Sequence, residues 1–260
     1  MNRILQTGRT GLDSIQKKMD IIAHNIANAQ TDGYKNLDVH FGDLIYDRLA
    51  NRGIPQTDEA RGKPVEMGTG SRIKSLTHNF AQGILRETSR PLDLAIQGEG
   101  FFGIQNESGD IFLTRNGAFS LDGSGRLVDS LGNRIVMDMF VPNAQMSEGD
   151  ISIDERGTIT VTNEAGQSIE IGRILIFDVA DKSTLHGIGD TYFSPESQDD
   201  IFIMDNDQAG TIRQGFLENS SVDLVKELTE MLITQRAYSI NTKSIQAADD
   251  MWGMVNQLRR

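Results

Sequence analysis

Apolar residues recur every seven positions at both ends of this 260-residue chain, and a different rule governs the stretch between. Near the start, Leu5, Leu12, Met19 and Ile26 fall seven apart, with Gly8, Ile15, Ile22 and Ala29 interleaved. Near the end, Leu224, Met231, Tyr238, Ile245 and Trp252 repeat the spacing. A period of 3.5 keeps one helical seam turned to a partner helix and winds the pair left-handedly. The pattern predicts helices over 2–30 and 221–258, roughly 45 and 55 Å long at about 1.5 Å per residue. Thr31-Asp32-Gly33 ends the first, since glycine suits the left-handed backbone after a helix C-terminus. Ser221, Val222 and Asp223 offer the second an N-cap and an acidic first turn, and Arg259 and Arg260 suit its C-terminal dipole.

An amphipathic helix most often packs on its own domain, but three features here favour a helix partner. The repeats are strict over four heptads, and Gly8 and Gly11 permit close approach. The second C-terminal column, Leu228, Gln235, Thr242 and Asp249, is mostly polar, which leaves a narrow seam.

Between the helices the signal changes. Residues 36–46 alternate loosely (Leu37, Val39, Phe41, Leu44, Ile45), and Asp47 to Arg72 is turn-rich, a surface loop or a contact arm between subunits. From Ser75 to about Gly215 short alternating runs predict strands. Ser120-Leu121-Asp122-Gly123-Ser124-Gly125 and Ser152-Ile153-Asp154-Glu155-Arg156-Gly157 repeat one another, each with Asp first and Gly fourth in a tight reversal. Asn106-Glu107-Ser108-Gly109 follows the same logic. The expected fold is α+β, with paired terminal helices as a coiled coil and an inserted antiparallel β-rich domain. Residues 1–35 with 216–260 would form the helical domain, 36–74 an extended connection, and 75–215 the β-rich domain.

Composition narrows the chemistry. The net charge of −12 is concentrated in the middle: residues 1–30 carry four basic and two acidic side chains, and 218–260 five and six. An acidic middle repels phosphate backbones and argues against nucleic acid, while nearly neutral ends suit close packing of many copies. There is no cysteine, so disulfides and thiol chemistry are excluded. No apolar run is long enough to span a bilayer, and no h-region of a secretory signal follows Arg3. Gly98-Glu99-Gly100-Phe101-Phe102-Gly103 matches a dinucleotide fingerprint, but a strand rather than a helix continues from it, so a glycine turn is the better reading. Asp205-Asn206-Asp207 starts like a calcium loop yet places Phe216 where a bidentate Glu is needed. His24, His40, His78 and His186 lack helical ligand spacing. No cofactor, metal or catalytic residue is expected.

The segment Ala23-His24-Asn25-Ile26-Ala27-Asn28-Ala29-Gln30-Thr31-Asp32-Gly33-Tyr34-Lys35 resembles the N-terminal signature of the flagellar basal-body rod and hook proteins. The resemblance continues in Pro91-Leu92-Asp93-Leu94-Ala95-Ile96-Gln97-Gly98-Glu99-Gly100-Phe101-Phe102 and in Thr114-Arg115-Asn116-Gly117-Ala118-Phe119-Ser120. It ends in Gln235-Arg236-Ala237-Tyr238. Chain length and Met67-Gly68-Thr69-Gly70 resemble the distal-rod branch, with proximal-rod members as the competing branch.

The resemblance implies an axial subunit without enzymatic activity, exported uncleaved through the flagellar type III apparatus and located in the basal body. Its implied partners are further copies of itself and other rod and hook proteins, with no membrane insertion. The expected packing residues are Leu5, Leu12, Ile15, Met19, Ile22, Ile26, Leu224, Leu228, Met231, Tyr238, Ile245 and Trp252. The motif residues Asn25, Ala27, Asn28, Thr31, Gly33, Tyr34, Lys35, Gln235, Arg236 and Ala237 would take structural roles: Asn25 and Asn28 satisfying carbonyls at the helix end or on a neighbouring subunit, Gly33 turning the chain, Tyr34 packing back on the seam. Two other classes compete, a peptidoglycan hydrolase that opens the wall for the rod and a free coiled-coil dimer bearing a β ligand-binding module.

Overall fold

A computed structural model describes residues 2–43, 47–48, 66–67, 70–106, 108–141, 151–162, 167–205 and 209–258. Most of the turn-rich Asp47–Arg72 stretch, including the proposed contact arm, lies outside the described residues. Helix α1 (Asn2–Ala27) and helix α2 (Leu224–Leu258) flank a middle of short antiparallel strands, an α+β fold.

Both helix boundaries differ from the spacing-based expectation for local reasons. Helix α1 stops at Ala27, before Asn28, whose carbonyl accepts from Thr31 N and whose side chain accepts from the Thr31 hydroxyl. Short polar side chains of this kind offer the backbone a turn in place of another helical bond. Helix α2 is capped by Asp223, not Ser221: the Asp223 carboxylate accepts from Val225 N and Lys226 N at 3.0 and 3.1 Å. The Ser221 hydroxyl instead accepts from Asn36 N at 2.9 Å.

The chain forms two compact units. The first comprises the described residues of Met1–Ala27, Leu37–Thr77 and Asp223–Arg260; the second comprises Asn28–Asn36 and the described residues of His78–Val222. In the first, the strand Leu37–Asp43 pairs with Ser71–His78 and lies beside α1. Polar side chains make that attachment: Ser14 Oγ donates to Ser71 O, and the Asn25 amide both donates to Leu37 O and accepts from Leu37 N, each at 3.1 Å.

In the second unit the central sheet runs His186–Gly189, Tyr192–Ser194, Ile111–Thr114, Phe101–Gln105, Arg134–Ile135, Leu127–Val128, Ser120–Leu121. Ile176–Val179 also pairs with Phe101–Gln105 and carries Ile201–Ile203 on its far side. A second sheet orders Met137–Met139, Ser168–Ile174, Thr158–Thr162, Ile151–Ile153. Leu94–Gln97 pairs with Thr211–Gln214, and Leu85–Glu87 with Phe216–Glu218.

Leu94, Ile96, Phe102, Phe119, Ile159 and Ile212 are fully buried in one cluster, where the Phe102 and Phe119 rings meet edge to face at 5.3 Å. Phe101, Leu113, Phe177 and Phe193 form a second, with Phe80 against it. The repeated reversals have one mechanism. Asp122 Oδ1 accepts from Ser124 N and Arg126 N, and Asp154 Oδ1 from Arg156 N and Thr158 N. Gly125 and Gly157 supply the left-handed residue at φ +70° and +83°. Asp129 and Gly132 make a further copy of the same turn.

Phe102→Ala will lower the stability of the β-rich unit by about 3–5 kcal/mol, because the cavity sits where neighbouring rings cannot collapse. Urea unfolding followed by far-UV circular dichroism measures this, and a loss below about 1 kcal/mol would contradict the packing described.

Candidate assembly interface

The two helices meet within the first compact unit, and glycine sets how closely. A Cβ on Gly8 would stand 2.8 Å from Ile245 Cγ1, and one on Gly11 2.8 Å from Asn241 Nδ2. Asn241 Nδ2 donates to Gly8 O at 3.3 Å, and further along Lys18 Nζ pairs with Glu230 Oε2 at 2.7 Å. Contacts at Gly8–Ile245 and Lys18–Glu230 mean that the helices run antiparallel.

Of the expected packing residues, Ile22 is buried, and Leu5, Leu12, Ile15, Met19, Ile26, Met231, Ile245 and Trp252 are half-buried. Leu224, Leu228 and Tyr238 are exposed. The second column on α2 is Glu227, Thr234, Asn241 and Ala248, and not the Leu228 column of the sequence analysis. Three of those four are polar, so a search for apolar periodicity passes over them. Thr234 settles its hydroxyl on Glu230 O at 2.6 Å, and Asn241 reaches Gly8.

Helix α2 also carries apolar residues on the side away from this seam. At 100° per residue, Val225, Leu232, Ile233, Ile240, Met251 and Met254 fall on one stripe opposite Thr234 and Ile245. All are exposed, Val225 at 75 % and Ile240 at 66 %.

The motif residues that follow α1 converge inside the second unit. Gly33 turns at φ +72° and donates its N–H to Glu218 O at 2.7 Å; a Cβ there would lie 2.4 Å from Asn116 N. Tyr34 is buried, and its carbonyl accepts from Ser221 N at 3.0 Å. Lys35 Nζ lies 2.5 Å from Glu218 Oε1 and also donates to Ala81 O. Arg115 Nη1 reaches Glu218 Oε2 at 3.2 Å, its Nη2 donates to Gly98 O, and its guanidinium lies over the Phe101 ring. The side chains of all three ions are at most 3 % exposed. Burial pushes the Lys35 ammonium below the ordinary lysine range, and the charge of Glu218 works against that shift. Glu218 was not singled out from sequence: one acidic residue in an acidic chain carries no local signal. Gln235, Arg236 and Ala237 are exposed on α2.

Both halves of this arrangement fall in segments that match known families. The family model described as flagella basal body rod protein covers residues 5–35, and that of the flagellar basal body rod FlgEFG protein C-terminal covers 213–258. Between them, the flagellar hook protein FlgE/F/G D1 domain model covers 95–161. The flagellar basal-body rod protein FlgG of Borreliella burgdorferi is 34 % identical over all of both chains. Its counterparts in Agrobacterium fabrum and Bacillus subtilis are 33 % and 30 % identical, over 98 % and 100 % of each chain.

The chain belongs to the flagellar basal-body rod protein family.

In this rod-family chain the N-terminal match thus holds α1, Gly33 and Lys35, and the C-terminal match holds Glu218 and α2. The Lys35–Glu218 pair ties the two matched ends together within one unit.

Glu218→Gln will cost about 3–5 kcal/mol in urea unfolding, because it leaves two buried cations without their anion. A loss below about 1 kcal/mol would contradict the role given to Glu218. A second expectation concerns acid. The hydrogen bond from Lys18 holds the Glu230 carboxyl below its ordinary value of 4.5. A carboxyl depressed on folding contributes stability that is complete above the unfolded value and is lost as pH falls through the folded one. The pair is about one-third exposed, so solvent screens it and it contributes under about 1 kcal/mol. The difference in Tm between the parent and Lys18→Met will therefore stay constant above the ordinary carboxyl value of 4.5 and shrink as pH falls below it; a difference that does not shrink in acid would contradict the pairing.

Proposed function

We propose that this chain is a structural, non-enzymatic subunit of the distal rod, polymerising into a helical tube that carries motor torque to the hook. The observation that carries this reading is the second apolar stripe on α2. One side of the helix faces α1, and the opposite side presents Val225, Leu232, Ile240 and Met254 to solvent. A helix that is apolar on two sides needs two neighbours. In this reading α1 supplies the first, completing a coiled coil, and a sister subunit supplies the second. Subunit contacts are then heterologous, since only a head-to-tail interface that does not close on itself builds a filament.

The packing residues on α1, from Leu5 to Ile26, and Met231, Ile245 and Trp252 on α2 hold the inner layer. Residues 75–215 form the outer layer, whose excess of acid keeps the tube surface soluble. The relatives are named as rod proteins, which supports a place in the basal body outside the cytoplasmic membrane. Export uncleaved through the type III apparatus and contacts with other rod and hook proteins belong to the same proposal. A proximal-rod role is the second reading within the family. No observation favours a peptidoglycan hydrolase.

Trp252→Asp places a charge in the seam. The variant will be secreted at parental level yet leave cells without rods and immotile, as read by immunoblot of the exported fraction and by swarming. Normal swarming contradicts the reading.

A further inference from the structure

Ile201–Ile203 and Met137–Met139 are among the strands that end sheets in the β-rich unit. Among the described residues, Ile201–Ile203 pairs only with Ile176–Val179, and Met137–Met139 only with Ser168–Ile174. Each outer edge offers a row of backbone N–H and C=O groups to another strand. The two edges differ in charge. The first is the apolar run Ile201-Phe202-Ile203-Met204 set between exposed Asp199, Asp200 and Asp205, with Ile203 itself 56 % exposed. The second borders a slot of about 210 Å³ lined by Leu127, Met137 and Met139, with exposed Arg126 and Arg134 among its walls. Phe140 and Val141 prolong that strand into solvent, Phe140 at 52 %.

The remaining charges at the slot do not reverse its sign. Asp138, on the same strand, lies opposite Arg173 in backbone register, and Asp122, 3.9 Å from the Arg126 guanidinium, offsets one of the two positive charges and leaves the other. An apolar edge framed by carboxylates and an apolar slot framed by guanidiniums thus occur on one chain whose middle is otherwise acidic.

We propose that neighbouring copies of this chain join through these edges, the Ile201–Ile203 strand of one adding to the Met137–Met139 strand of the next. Main-chain bonds give the contact its strength, as in other strand additions, and the side chains give it direction. Asp199, Asp200 and Asp205 meet Arg126 and Arg134, whereas like edges repel one another. Two different patches of the same chain meet, so the contact does not close on itself and continues along the polymer. The inference rests on the rod reading and adds a subunit contact outside the helices.

The absence of native cysteine makes the test direct. Basal bodies are isolated from cells that carry the chain with Val141→Cys and Phe202→Cys together, and treated with a short bis-maleimide. A ladder of dimers and higher multimers on a denaturing gel is expected, and none from either single variant. A chain present in basal bodies that runs only as monomer overturns the edge contact and leaves the rod reading intact. A parent chain absent from basal bodies overturns the rod reading and the contact with it. Where the double variant fails to incorporate, charge reversal decides. Arg126→Asp with Arg134→Asp will abolish swarming, and adding Asp199→Arg with Asp200→Arg will restore it. A four-site variant that folds like the parent and stays immotile overturns the proposal.

Discussion

The close approach of the first and last helices is the contact on which the rest depends. It works because Gly8 and Gly11 remove the side chains that would meet Ile245 and Asn241. Joining chain segments more than two hundred residues apart carries a loop-closure cost that grows only slowly with length. The β-rich unit reduces that cost further. Within it, Gly33 N–H reaches Glu218 O, Tyr34 O accepts from Ser221 N, and Lys35 pairs with Glu218. The segment leaving α1 and the segment entering α2 are therefore already neighbours in the folded middle.

A buried ionic cluster is a costly way to hold two segments together. Desolvating Lys35, Glu218 and Arg115 offsets much of their mutual attraction, and an apolar substitute would be comparably stable. What the ions add is geometry. Glu218 accepts from Lys35, Arg115 and Gly83 N, and Lys35 also donates to Ala81 O, so a shift by one residue breaks several bonds at once. Helix α2 is specialised in another way: apolar on two sides, it leaves large side chains in water that a free-standing protein would cover. An isolated chain gains nothing from that exposure, whereas a subunit that is to be enclosed by its sisters does.

Local patterns carried the fold's outline in the sequence. The heptads located both helices because packing repeats at a fixed interval, and the Asp-to-Gly reversals located hairpins because each is closed by its own aspartate. Nonlocal features did not show. Which strands pair, and that Lys35, Arg115 and Glu218 meet, depend on segments far apart in the chain. The seam column Glu227, Thr234, Asn241 stayed hidden because its members are polar, and Ser221 looked like a cap although Asp223 does the capping. The outward stripe on α2 was written in the sequence too, but an apolar residue off the seam is ordinary until its exposure is known.

The central claim is that this stripe is covered by a sister subunit. Maleimide labelling of an Ile240→Cys chain, purified and in intact basal bodies, tests it most directly, since the chain itself carries no other thiol and its gel band reports only this site. The account predicts rapid labelling of the free chain and strong protection in the assembled rod. Equal labelling in both states would contradict it.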